Sequence, residues 1–188
     1  MANRDAAFGF RAIRKLNGGQ VVVNTYVALA GEANAMFVGM PVKSGGSANT
    51  DGVPSITRAA ATDTLRGVIA AFEPNRDDLS QMHRAASTAR LVLVNDDPDT
   101  IFIAQEDGDT TPLTADDIGL RVDFIGVTGN TSHGNSTAEL NSDSPKSTSD
   151  GNFKLMALHR VVDNAIGANA IYEVMIAEHE LDSATAGV

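Results

Sequence analysis

Ala89-Arg-Leu-Val-Leu-Val94, Asn95-Asp-Asp-Pro-Asp99, Thr100-Ile-Phe-Ile-Ala-Gln105 and Glu106-Asp-Gly-Asp109 follow one another without a break. Two short runs of β-branched and aliphatic residues are each closed by a cluster of Asp, Asn, Gly and Pro. That is how strands and their turns are written: branched side chains pack well on a pleated surface, and Asp and Asn bond the nearby backbone where the chain reverses. The spacing predicts a hairpin, with Leu93 and Phe102 facing each other across the first turn.

The same grammar extends in both directions. Upstream, Gln20-Val-Val-Val-Asn-Thr-Tyr-Val27 reads as a strand, and Met36-Phe-Val-Gly-Met-Pro-Val42 as a short run that Pro41 turns into an edge or bend. Residues 43–64 are rich in Gly, Ser, Asn and Thr and read as a loop, with Asp51-Gly52 a turn dipeptide. Residues 65–72 read as a buried strand. Downstream, Leu120-Arg-Val-Asp-Phe-Ile125 alternates apolar and charged residues, as a strand with one wet face does. Residues 153–162 and 170–178 are expected as the closing strands, and the segment from Asp182 to Val188 is expected to fray. Helix is expected only in short pieces, over 79–86 and 113–118, the second led by the acceptor–x–x–acid pattern of Thr114 and Asp117. In the polar segment 128–152, 17 of 25 residues are Ser, Thr, Asn or Gly. A loop of that length inside a compact domain is expected to be functional or laid across a neighbour. The fold class is all-β, a β-barrel or β-sandwich.

Charge divides the chain into two expected parts. Of its 188 residues, the first nineteen hold four of the 14 basic side chains and one of the 24 acidic ones. Residues 1–19 therefore read as a basic N-terminal arm closed by Asn17-Gly18-Gly19, and residues 20–188 as an acidic β-rich body. Arg4, Arg11, Arg14 and Lys15 carry the arm's charge, while Phe8, Phe10, Ile13 and Leu16 supply apolar anchors. Such a segment suits ordering on another protein's surface, and its removal is expected to leave the body folded.

Composition narrows the chemistry. With no cysteine, thiolate catalysis, iron–sulfur clusters and cysteine-ligated zinc are excluded. A formal net charge of −10 disfavours non-specific nucleic-acid binding. The longest uncharged stretch is broken by Asn, Gly, Gln and Thr, so no membrane span is expected. His83, His133, His159 and His179 have no zinc-binding spacing, and neither a nucleophile elbow nor a phosphate-binding glycine loop is present. Gly18-Gly19-Gln20 matches the tripeptide by which peptide-chain release factors hydrolyse peptidyl-tRNA, but at an arm–body junction a Gly-Gly hinge explains it. Asp96-Asp97-Asp99 and Asp107-Asp109 could ligate Ca²⁺, yet neither has the twelve-residue loop spacing, and turn chemistry is the favoured reading. The expectation is a non-enzymatic protein without a cofactor.

The opening Met1-Ala-Asn-Arg-Asp-Ala-Ala-Phe-Gly-Phe-Arg11 with Leu16-Asn-Gly-Gly19 resembles the start of small structural proteins of tailed-phage heads. Val92-Leu-Val-Asn-Asp-Asp-Pro-Asp-Thr-Ile-Phe102, then Gln105-Glu-Asp-Gly108, and the polar Thr128-Gly-Asn-Thr-Ser-His-Gly-Asn135 are similar to the same group, the capsid decoration (cement) proteins. The resemblance implies a β-rich body, jelly-roll, tulip-like or of another β topology, and a homotrimer on the outer surface of a virion. It further implies a chain made in the host cytoplasm that reinforces joints between major capsid subunits. On that expectation the basic arm is the grip on the major capsid protein, Arg4, Arg11, Arg14 and Lys15 pairing with its acidic groups and Phe8, Phe10 and Ile13 burying against it, with nucleic acid and membrane not partners. A tail or fibre-base protein of the virion, or an all-β trimeric enzyme, are the alternatives. A carbohydrate-binding module is disfavoured by the absence of Trp.

Overall fold

The computed structural model describes residues 3–148 and 150–182; the expected fraying after Asp182 lies outside the described residues. The described chain is almost entirely β and is built as two abutting sheet systems. The first is a closed five-stranded barrel of β2 (Asn24–Ala28), β3 (Pro41–Ala48), β4 (Pro54–Arg58), β5 (Gly67–Phe72) and β6 (Arg90–Asn95), in the order β2-β4-β3-β5-β6. All neighbours are antiparallel except β2 and β4. The second is a sheet in the order β1-β7-β12-β11-β8, every pair antiparallel. It comprises β1 (Arg11–Lys15), β7 (Thr100–Gln105), β8 (Arg121–Val122), β11 (Phe153–Leu158) and β12 (Ile171–Ile176). A small ribbon pairs β9 (Phe124–Ile125) with β10 (Glu139–Leu140).

The two strands of the opening quotation exist at nearly their expected bounds, but they do not form a hairpin. β6 belongs to the barrel and β7 to the sheet, so Asn95-Asp-Asp-Pro-Asp99 carries the chain from one to the other. Leu93 pairs with Thr25 and Ala71, while Phe102 pairs with Ala12 and Val174. A turn cluster marks where a strand stops, not where the next one goes.

Two further corrections concern the expected irregular regions. Residues 43–64 are no mere loop: they contain most of β3 and all of β4, joined by the Asp51-Gly52 turn. Pro41 sits at the first position of β3, where its missing N–H is tolerated. No helix forms over 79–86; among the described residues, helix is confined to a 3-10 turn at Ala115–Asp117. There the Asp117 carboxylate accepts from the Thr114 N–H at 2.7 Å and hydroxyl at 2.8 Å, as the pattern predicts.

Each system has its own core. Tyr26, Met36, Met40, Val42, Ile56, Ile69, Val92 and Val94 fill the barrel. Beneath the sheet, Phe102, Val122, Phe124, Leu140, Phe153, Leu155, Tyr172 and Val174 pack together, with alternate residues of β12 pointing inward. The polar segment 128–152 is laid across its own chain. Val38 exchanges backbone hydrogen bonds with Gly134 and Ser136, and Lys146 does so with Arg121.

Buried polar groups tie the parts together. The fully buried Arg84 guanidinium donates to three carbonyls, Thr88 at 2.7 Å, Asn34 at 2.6 Å and Leu29 at 2.7 Å, which pins the loops at one end of the barrel. Asp96 accepts from the Tyr26 hydroxyl at 2.5 Å and Asn24 at 2.8 Å, while Arg66 donates to the same hydroxyl at 2.8 Å. Burial and the Asp96 partner push the Tyr26 hydroxyl up to about 12. Asp96 is thus spent on structure, as is Asp97, whose carboxylate accepts from Lys15 Nζ and the Asp99 N–H.

Candidate functional site

The N-terminal residues were expected to stand apart; instead they are woven into the sheet. Gly9 makes this possible. It has φ +75°, and a Cβ there would lie 2.8 Å from the Gly39 carbonyl oxygen, so only glycine lets this backbone run against the barrel. The Phe10 N–H then donates to that same carbonyl at 2.9 Å. One step later the Phe10 ring enters the core, stacked on Phe153 at 4.2 Å and edge-on to Phe124 at 6.5 Å. Phe10 is therefore a core residue of its own chain and not an anchor left for a partner.

The other expected contact residues divide by environment. Lys15 bonds Asp97 at 2.5 Å and is largely buried; this Lys15 hydrogen bond holds the Asp97 carboxyl below its usual range. Arg14 pairs with Glu173 at 2.7 Å. Burial works against the Glu173 charge, but hydrogen bonds from Arg14 and His159 hold its pKa down. Both basic groups are thus engaged within the chain. Arg4 and Arg11 are exposed, and the Arg11 guanidinium lies 4.9 Å from the centre of the half-buried Phe8 ring.

What remains outward is a strand edge. β1 is the outer strand of its sheet, hydrogen-bonded to β7 on one side only. Ile13 on this strand is 37% exposed, and Leu16, Val22 and Val23, just beyond it, are 53%, 48% and 40% exposed. Between Leu16 and Val22 the chain turns at Asn17, whose side-chain oxygen accepts from the Gly19 N–H at 3.0 Å, so the Gly18-Gly19 pair belongs to a turn. Residues 161–169 add a second apolar surface. Asn3 clasps that loop through the Ala165 and Ala168 carbonyls, each at 2.8 Å, beside a groove of about 510 Å³ lined by Phe8, Val161 and Val162. Val162 is 85% exposed.

A third concentration of chemistry lies at the end of β7. Carboxylate oxygens of Glu106, Asp107 and Asp109 all lie within 4.8 Å of one another. Glu106 is fully buried, and burial raises its pKa. Burial, with Asp5, Asp107 and Glu106 nearby, pushes Glu139 up to about 7. Glu106, Asp107 and Asp109 were legible as a turn; Glu139 and Ser142 had no such signal, because they reach the turn only after folding. The histidines are dispersed: His83 stacks on Phe37, His159 faces Glu173 at 3.2 Å, and His179 is buried with its pKa lowered by burial to about 4.

No family model, no curated protein and no solved structure matches the chain.

Proposed function

We propose that this chain is a structural virion protein, a decoration protein that binds the outer surface of a phage capsid as a homotrimer and reinforces contacts between major capsid subunits. The sequence resemblance suggests the class. The observation that carries the reading within the fold is the open edge of β1. This edge offers unpaired backbone groups, the cation of Arg11 and apolar side chains at Ile13 and Leu16 on one continuous border. An exposed, partly apolar strand edge is normally blunted or covered, because its free N–H and C=O groups recruit another strand.

This revises how the N-terminus would grip. With Phe10 in the core and Arg14 and Lys15 paired internally, the contact falls to the outward Arg4, Arg11, Ile13 and Leu16. Each exposed ion pair contributes only about 0–1 kcal/mol, so repetition over many copies supplies the strength of attachment. The test is co-sedimentation with heads of the phage whose genome encodes the chain. Wild-type protein should saturate the heads at several hundred copies or fewer, in multiples of three per site, as a lattice does. A double variant Ile13→Asp, Leu16→Asp should remain folded and bind much more weakly. Unchanged binding of that variant would place the contact elsewhere, and attachment only at the tail vertex would make it a tail component.

A further inference from the structure

The geometry points to a Ca²⁺-binding site formed by Glu106, Asp107 and Asp109 with the Ser142 hydroxyl, holding the polar segment 128–152 against the end of β7. Three features carry this. The three carboxylates come within 4.8 Å of one another. Ca²⁺ sits about 2.3–2.6 Å from its oxygen ligands, so oxygens on opposite sides of one ion are separated by roughly that span.

The second feature is Glu106 itself. It is 0% exposed, and its Oε2 accepts from the Gly108 and Asn169 N–H groups at 3.1 and 2.5 Å, while its Oε1 is buried with no hydrogen-bond partner. A buried carboxylate oxygen left without a donor is costly, and a cation held by the neighbouring acids would satisfy it. The backbone around it is committed to that position: Gly108 has φ +67°, and a Cβ there would collide with the Asn169 side chain at 2.2 Å.

The third feature is uncompensated charge. Among the described residues, no Lys, Arg or His makes an ion pair with Glu106, Asp107, Asp109 or Glu139. Glu139 lies in the field of the same cluster, with Asp5, Asp107 and Glu106 acting on it. The single Ser142 hydroxyl stands 2.7 Å from Asp107 and 2.9 Å from Asp109, so its one proton faces two anions. A donor set made only of oxygen, with no imidazole or thiolate, selects a hard ion over zinc or copper. The cluster's irregular arrangement, half open to water at Asp109, suits Ca²⁺, whose coordination is flexible, better than Mg²⁺, which demands an octahedron. Because Ser142 comes from the polar segment and the acids from the end of β7, the ion would staple the two. The site stands independently of the capsid reading.

Titration calorimetry of CaCl₂ into the chelator-stripped full-length protein tests it, with thermal melting alongside. One saturable site per chain is expected, with a sub-millimolar dissociation constant and a melting temperature that rises with Ca²⁺ concentration. Asp109→Asn, at the surface, and Glu106→Gln, close in shape, should each weaken binding roughly tenfold or more. Asp116→Asn, on the exposed 3-10 turn, should bind as wild type. The absence of saturable heat and of any melting shift at millimolar Ca²⁺ would overturn the site. So would equal weakening by Asp116→Asn, or a response to Mg²⁺ as strong as that to Ca²⁺. If Glu106→Gln is unfolded by circular dichroism, the Asp109→Asn and Asp116→Asn pair decides alone.

Discussion

The Phe10 ring lies 4.2 Å from the Phe153 ring, the two planes only 12° apart. A residue near the start of the chain is thereby stacked on the first residue of β11, and Phe124 closes the cluster edge-on to both. The N-terminal segment is thus a structural member of the sheet, and its apolar content serves the chain's own stability before any partner's.

Phe10→Ala should accordingly destabilise the protein by about 3–5 kcal/mol, the usual loss for a large aromatic removed from a packed core. Urea denaturation followed by circular dichroism measures this. Removal of residues 1–19 should cost more, since it also strips β1 from β7. A truncated chain as stable as the full one would show that the segment is dispensable.

Arg84→Met should be destabilising by about 3–5 kcal/mol despite similar bulk, because three loop carbonyls lose the donor they share, the buried Arg84 guanidinium. The loss should appear as a lower denaturation midpoint with an unchanged sheet signal before the transition. A neutral outcome would mean that water replaces the guanidinium.

His179 sets a pH dependence. Its ordinary pKa of 6.5 is lowered by burial to about 4, with Asp96, Asp97 and Asp182 opposing and Arg66 reinforcing the shift. Between those values the unfolded chain binds a proton that the folded chain refuses, so this stability is complete above pH 6.5 and is lost as pH falls towards 4. The loss amounts to about 3 kcal/mol. His179→Asn keeps an acceptor for the Leu181 N–H, which His179 Nδ1 accepts at 3.0 Å, but cannot titrate. The gap between wild type and variant, measured by denaturation, should therefore shift in the variant's favour across that window. A gap that is constant with pH would remove His179 from the acid response.

How far the fold could be read from residues alone depended on where the information lay. β7 was legible at its exact bounds because Asp-rich turns bracket a run of branched residues. β3 was not, since Lys43-Ser-Gly-Gly-Ser has little strand preference and owes its place in the strand to pairing with β4, at Lys43, Ser44 and Ala48. The false hairpin of Leu93 and Phe102 has a different origin: Asn95-Asp-Asp-Pro-Asp99 reads alike whether the chain folds back or crosses to another sheet. For the site, charge set the first nineteen residues apart from the rest of the chain. It could not reveal that Phe10 turns inward, or that Lys15 finds Asp97 eighty-two positions away. Asp107 and Asp109 were visible as neighbours, whereas Ser142 reaches them only through the fold of the polar segment.

Assembly is a separate expectation. The free protein at micromolar concentration should sediment as three chains, with the open β1 edge or the Val161 and Val162 surface covered between copies. A strict monomer, in solution and on particles, would exclude the trimer.

Cryo-electron microscopy of the phage particle to which the proposal assigns this chain tests that proposal most directly. The account predicts β-rich trimeric density on the outer face of the capsid lattice, with β1 and Leu16 against the major capsid protein and a local gap between capsid subunits bridged beneath. Density for the chain confined to the tail or its fibres, or none on the particle, would contradict it.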